Sequence, residues 1–225
     1  ASVDEVNEML EALRNAKAAL VTKASISKKT LRDYIDSNNL KTLDTSLYLT
    51  STVKPFQDAL KNAEAILNKE DATVSEIEEA YAKLQEARKN LVLKASDAEV
   101  KVLENKVASF KEEDYTASSY KAFLPVLEEV KEALKAEHTS EEITALTEKL
   151  DTASKKLVRR GNTAELDLLL AQAKNTDSKL YTQKSYKNLL EVIKAIEEEL
   201  ENKEELTQEE VDALTKKLSD AVAQL

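Results

Sequence analysis

Four stretches of the chain share one arrangement of apolar residues, and that repetition constrains the fold more than any other feature. Val6, Met9, Leu13, Ala16 and Leu20 are spaced 3-4-3-4. Ile77, Ala80, Leu84, Ala87 and Leu91 repeat the spacing, as do Ile143, Leu146, Leu150, Ala153 and Leu157. Val211, Leu214, Leu218, Ala221 and Leu225 make the fourth copy. Each run starts four residues after a Ser or Thr that has Glu three places on: Ser2/Glu5, Thr73/Glu76, Thr139/Glu142 and Thr207/Glu210. Such a pair forms a capping box, in which hydroxyl and carboxylate satisfy backbone donors left free at a helix start. One helix therefore recurs at intervals of 71, 66 and 68 residues. A period of that size predicts a tandem array of small domains.

A second and a third helix complete each period. Tyr115-Thr116 precedes the seam Tyr120, Phe123, Leu127, Val130 and Leu134, and Tyr181-Thr182 precedes Tyr186, Leu189, Ile193, Ile196 and Leu200. With Thr116 and Thr182 as caps, the Tyr pairs fall where a hydrophobic staple fixes the helix start. Tyr48-Leu49 precedes Val53, Phe56, Leu60, Ala63 and Leu67, with a start expected to slip to Thr50 or Thr52. The remaining helix is introduced by Ser96/Glu99 and Asn162/Glu165, followed by Val100, Leu103, Val107 and Phe110 and by Leu166, Leu169 and Ala173. In the first period Leu31, Tyr34 or Ile35, Leu40 and Leu43 take this part less regularly.

The single Gly, two Pro and 34% charged residues of the 225 favour long helices with solvated faces. The fold class read from these patterns is all-α. Tandem up-down-up three-helix bundles form an elongated rod, preceded by one extra helix from an incomplete repeat. The predicted domains are 1–24 (the last helix of a truncated preceding repeat), 25–94, 95–160 and 161–225. Stacked end to end, three such bundles would span on the order of 100 Å. Val92-Leu93-Lys94-Ala95 holds no helix breaker, so near-continuous helices are expected there. Gly161 is expected to stop a helix in the left-handed region, giving a more bent joint. A recurrent alanine (Ala16, Ala87, Ala153, Ala221) should mark a close helix approach. The chain starts on a cap and ends on a seam position, which reads as a segment cut from a longer protein.

Net charge −10 and a pI near 4.9 disfavour nucleic acid and anionic membrane as partners. No apolar run approaches the roughly 20 residues needed to span a bilayer, so no membrane insertion by this segment is expected. The absence of cysteine fits the cytosol or the exterior of a bacterium that avoids disulfides. His138 is the only histidine, and with no cysteine it can assemble neither a nucleophilic triad nor a zinc site. It stands where Leu206 stands in the next repeat and reads as a staple over Ile143. Glu197-Glu198-Glu199, Glu201 and Glu204-Glu205 point around a helix without converging and read as a solvated face. Neither a calcium loop nor a Gly-rich phosphate loop occurs. Tyr48, Tyr115, Tyr120, Tyr181 and Tyr186 are candidate binding aromatics, although the staple accounts for them. Pro125 lies inside a helix and should kink it. No catalytic, metal, cofactor-binding or ligand-binding residue is assigned.

Tyr181-Thr182-Gln183-Lys184-Ser185-Tyr186 with Thr207-Gln208-Glu209-Glu210-Val211, and Tyr115-Thr116-Ala117-Ser118-Ser119-Tyr120 with Thr139-Ser140-Glu141-Glu142-Ile143, resemble the FIVAR family ("found in various architectures"). The first unit departs from the pattern at Leu49 and Thr52. The resemblance covers about 27 to 225, and residues 1–21 match the family's last helix. It implies secreted or wall-anchored proteins of Gram-positive bacteria, in which such modules space adhesins or accompany carbohydrate-active enzymes, and some bind host matrix proteins. The functional expectation is a non-catalytic stalk and protein-interaction segment of a cell-surface or secreted protein. The alternative is an accessory module of a large extracellular glycoside hydrolase, mediating glycan or protein association. Partners expected on this reading are a host extracellular-matrix protein or another surface protein. The expected state is a monomer, with dimerisation through the orphan N-terminal helix as the competing outcome.

Overall fold

The computed structural model describes residues 3–19 and 23–225. The cap pair Ser2/Glu5 and the seam positions Ala16 and Leu20 fall wholly or partly outside them. Among the described residues there are ten α-helices and no strand, with two isolated antiparallel bridges. Two compact units, 1–94 and 95–225, divide the chain.

The first unit holds α1 (Val3–Ala19), α2 (Lys23–Ser37), α3 (Thr50–Asn68) and α4 (Val74–Lys89). Helices α2, α3 and α4 pack pairwise around Leu31, Ile35, Leu40, Phe56, Ala63, Ile77, Ala80 and Leu84. The irregular first segment of this bundle is explained by Asn39, whose left-handed backbone (φ 51°) breaks α2 from the 3₁₀ turn Leu40–Thr42. Leu40 is thereby returned to the core. Helix α1 differs, because its Val6, Met9 and Leu13 remain 53%, 71% and 66% exposed.

The second unit holds two bundles with separate cores. One comprises α5 (Asp97–Ala108), α6 (Ala117–Ala133) and α7 (Ser140–Ser154), around Leu103, Phe123, Leu127, Val130, Ile143 and Leu150. The other comprises α8 (Ala164–Lys174), α9 (Gln183–Leu200) and α10 (Gln208–Ala223), around Leu166, Leu189, Ile193, Ile196, Val211 and Leu218. The core of each bundle is thus the 3-4-3-4 seam. Leu170 is also buried, one residue beyond the predicted face of α8. Helix α6 runs unbroken through Pro125.

Both arms of the capping box are formed at Thr73/Glu76, Ser96/Glu99, Thr139/Glu142 and Thr207/Glu210. Asn162 departs from expectation. Thr163 occupies the cap position of α8, but its hydroxyl donates to Asp167 Oδ2 at 2.9 Å and caps no amide, and Asn162 instead turns its Oδ1 onto the Ala164 N–H at 3.0 Å. That short-range turn competes with the cap geometry, as Asn commonly does.

Two expectations for the linkers are overturned. Residues 90–96 are not helical, because Leu93 pairs with Tyr48 in an antiparallel bridge that draws the backbone into extended form. Gly161 does not adopt positive φ. Its glycine is needed for room: a Cβ there would lie 2.7 Å from the Thr207 carbonyl oxygen and 2.7 Å from Val211 Cγ2.

Candidate functional site

The chemistry common to the repeats gathers where a linker leaves the last helix of a bundle and lies beside the start of its middle helix. In the first bundle a 3₁₀ turn, Thr45–Leu47, delivers Tyr48 in extended conformation (φ −114°, ψ 157°). Leu49 N–H donates to Val92 C=O at 2.8 Å, and Lys94 N–H donates to Leu47 C=O at 3.0 Å. The Thr52 hydroxyl accepts from Val92 N–H at 3.3 Å. Three consecutive linker residues are thereby held by two main-chain bonds and one hydroxyl.

The middle bundle repeats the device. After the 3₁₀ turn Glu112–Asp114, Tyr115 is again extended (φ −128°, ψ 160°). Thr116 N–H donates to Val158 C=O at 2.9 Å, Arg160 N–H to Asp114 C=O at 3.1 Å, and Val158 N–H to the Ser119 hydroxyl at 3.1 Å. The Arg159 guanidinium carbon lies 4.9 Å above the Tyr115 ring centre, and its Nη1 is 3.6 Å from Asp114 Oδ2. A guanidinium over a phenol face is an attractive cation–π geometry.

This slot sets the start of the first middle helix at Thr50, one of the two starts expected. Leu49 has no capping side chain, yet it holds the cap position and α3 begins at Thr50. The register is set by its main-chain bond to Val92, a partner that the local sequence does not reveal. The staple is formed at Tyr115 and Tyr120, whose rings stack 6.4 Å apart, whereas Tyr181 stays 39% exposed.

Within the second unit the two bundles join through main-chain and carboxylate bonds. Thr116 makes no side-chain cap, since its hydroxyl turns to Ser119. The first amides of α6 are satisfied from the next bundle: Ala117 N–H donates to Glu204 C=O at 3.0 Å, and Ser118 N–H to Glu205 Oε1 at 2.8 Å. The Ser118 hydroxyl adds a bond to Glu205 Oε2 at 2.6 Å. Glu204 and Glu205 are therefore a helix cap supplied in trans, not merely part of a solvated face. Gly161 N–H donates to Leu206 C=O at 2.7 Å, as Ala95 N–H does to His138 C=O at 2.7 Å. A charged recess of about 410 Å³ beside this joint is lined by Asp114, Arg159, Arg160 and Lys203 among others.

His138 makes two polar contacts at the start of α7. Its Nε2 lies 2.7 Å from the Ala133 carbonyl oxygen and its Nδ1 3.4 Å from Glu142 Oε2. The titratable groups most displaced are structural. Lys69 first, and then the Thr73 backbone, lower the Glu76 carboxyl to about 2. Glu99, Glu142 and Glu210 are also lowered, mainly by bonds from their own caps Ser96, Thr139 and Thr207. Burial, then Tyr81, raises the Tyr34 phenol, whose ring meets Tyr81 edge-on at 5.1 Å. Among the described residues no cluster of three or more His, Cys, Asp or Glu is arranged for a metal ion. Among them, too, no helix is long and apolar enough to cross a membrane.

The chain is 31% identical over 191 residues to a protein described as "Polysaccharide lyase 8 family protein HylA" of Enterococcus faecalis (strain ATCC 700802 / V583). That alignment covers 79% of the chain but only 14% of the relative, so the chain spans a small part of the protein it matches. No solved structure matches it significantly. The FIVAR domain matches residues 27–92, 97–158 and 163–225, each falling on one bundle. The chain belongs to the FIVAR domain family.

Proposed function

We propose that these bundles are a non-catalytic accessory array of a larger secreted or surface-attached polysaccharide-degrading enzyme of a Gram-positive bacterium. One observation carries the reading: the array resembles part of a protein whose name is that of a polysaccharide lyase. A lyase, not a glycoside hydrolase, is accordingly the catalytic neighbour proposed. The array's contribution on this reading is spacing. Repeated bundles with charged exteriors hold a catalytic domain away from the surface that carries it. A stalk that presents an adhesive surface would share this spacing role.

The test is a comparison of full-length protein, array-deleted protein and the isolated array on soluble and surface-immobilised polysaccharide. The isolated array should release no new chain ends. Deletion should leave cleavage of soluble polymer unchanged and lower cleavage of the immobilised polymer. Cleavage by the array alone, or deletion without effect on either form, would refute the proposal. A pull-down of host matrix proteins by the isolated array would favour the adhesive stalk.

A further inference from the structure

The turn between α9 and α10 is fixed by its own main-chain bonds. Glu201 N–H donates to Glu197 C=O at 3.2 Å, Lys203 N–H to Leu200 C=O at 3.2 Å and Glu205 N–H to Asn202 C=O at 2.8 Å. Behind the turn, Leu206 is 7% exposed and belongs to the core of the third bundle. The Glu204 carbonyl and the Glu205 carboxylate are thereby presented from set positions to the start of α6 in the middle bundle. They meet the N–H groups of Ala117 and Ser118, the first two amides of that helix, which no partner inside the helix can serve. The linker between the two bundles leaves no slack. Val158 and Arg160 are bonded to the middle bundle at Thr116, Ser119 and Asp114. Gly161 and Asn162 are bonded to the third, at Leu206 and Gln208. The chain passes from one set of partners to the other between consecutive residues.

We propose that the turn 201–206 is a strap that couples the folding of the middle and third bundles, so that each opens more readily once the strap is cut. Opening of the third bundle withdraws the strap and leaves the first turn of α6 uncapped. Opening of the middle bundle removes the donors that hold the strap and releases the linker from its slot. Repeat arrays draw stability from neighbour contacts as well as from the units themselves. Here the neighbour contribution is assigned to the bonds of Ala117 with Glu204 and of Ser118 with Glu205. A coupling free energy belongs equally to the two sites it joins, so a change made on one side must appear on the other. A purely local cap would steady the first turn of α6 and leave the third bundle indifferent. This inference stands on the bundle geometry and is independent of the enzyme proposed above.

The test is amide hydrogen exchange by NMR on the intact chain, read at core residues of each bundle. Leu127 and Leu150 report the middle bundle, and Ile193 and Leu218 the third. Ala117→Pro is the decisive variant. Proline suits the first position of a helix, and Thr116 (φ −64°, ψ 143°) already has the backbone that a residue before proline requires. The substitution removes the N–H that the Glu204 carbonyl accepts. Exchange at Ile193 and Leu218, in the other bundle, should quicken by about threefold to tenfold, the range for one lost hydrogen bond. Glu205→Ala, made in the third bundle, should quicken exchange at Leu127 and Leu150 by about twofold to fivefold, less because both partners are exposed. Glu205→Gln keeps an oxygen acceptor for Ser118 and should restore part of that protection. Unchanged exchange at Ile193 and Leu218 in the Ala117→Pro chain, or at Leu127 and Leu150 in the Glu205→Ala chain, would overturn the proposal.

Discussion

Gly161→Ala separates a glycine kept for room from one kept for conformation. Gly161 has no positive φ, so an alanine there meets no backbone penalty. On conformational grounds alone, restricting the unfolded chain would stabilise by about 0.4–1 kcal/mol. The new Cβ, however, would sit 2.7 Å from the Thr207 carbonyl oxygen, where ordinary contact begins at 3.4 Å. A retreat of roughly 0.7 Å would stretch the 2.7 Å bond from Gly161 N–H to Leu206 C=O beyond the usual range of about 2.7–3.2 Å. Overpacking typically costs about 1–3 kcal/mol, and the lost bond falls within that figure. Net destabilisation of about 1–2 kcal/mol is expected after the entropic gain is subtracted. The reciprocal change, Ala95→Gly, acts where a Cβ is buried at 4% exposure and the same backbone bond is made. It should also destabilise, by about 1–2 kcal/mol, through lost burial and a freer unfolded chain. Urea midpoints of the two variants provide the assay, with exchange at the Leu206–Val211 turn locating the effect. A Gly161→Ala protein more stable than its parent would sink the argument.

Three further predictions follow from the caps, the joint and the core. The capping glutamates have folded pKa values below the ordinary 4.5, that of Glu76 about 2, so their contribution is complete above 4.5 and is lost as pH falls through the folded values. Unfolding midpoints measured from pH 6 downwards should decline less steeply below about pH 4.5 for Glu76→Gln than for the parent; parallel curves would count against the cap. A double-mutant cycle between Ser118→Ala and Glu205→Ala should give a coupling of about 0.5–1 kcal/mol, modest because both residues are exposed. Additive effects would exclude the joint as drawn. Ala63→Leu fills a position with 0% exposure and should destabilise by about 1–3 kcal/mol, more than Ala153→Leu, whose site is only half-buried. Calorimetry that ranks the two in the opposite order would misplace the tight layer.

The sequence revealed what was encoded within one helical turn. Thr139 and Glu142 are three residues apart, so their capping box could be read directly, as could the seam from Ile143 to Leu157. What could not be read depended on distant partners. Thr116 looked like a cap because Tyr115 and Tyr120 fall at the staple positions around it, yet the first amides of the helix are met by Glu204 and Glu205, with Ser118 and Glu205 separated by 87 positions. Leu49 looked like a defective cap because Val92 lies about 40 residues away. Val92-Leu93-Lys94 has no residue that opposes a helix, and only the waiting edge at Leu47 and Leu49 makes it extended. The slot's one recurrent sequence signal is a hydroxyl four residues after each tyrosine: Thr52, Ser119 and Ser185. A pattern of helix starts contained it, but with only half of its meaning.

That division between local and distant determinants bears on how such an array diverges. The donor position of the slot is Leu49, Thr116 and Thr182 in the three bundles, and the first two make the same bond because the N–H belongs to the backbone. The acceptor position is Leu47, Asp114 and Leu180, again a main-chain carbonyl in the first two bundles. Side chains at these places can change without breaking the joint, provided that the turn keeps its tyrosine extended and a hydroxyl stands four residues on. Bundle exteriors, carrying exposed ion pairs worth little individually, are freer still. Identity of 31% to a relative is therefore what an architecture fixed by seams, caps and backbone pairing would permit. One slot differs from another in the few side chains that touch the linker, such as Asp114 holding Arg159 over Tyr115. Exchanging Asp114 for Leu and Arg159 for Leu together should convert the middle slot to the chemistry of the first while leaving both main-chain bonds in place. Exchange protection at Thr116 retained in the double variant, but reduced when Asp114 alone is changed, would support that assignment, and protection lost in both would refute it.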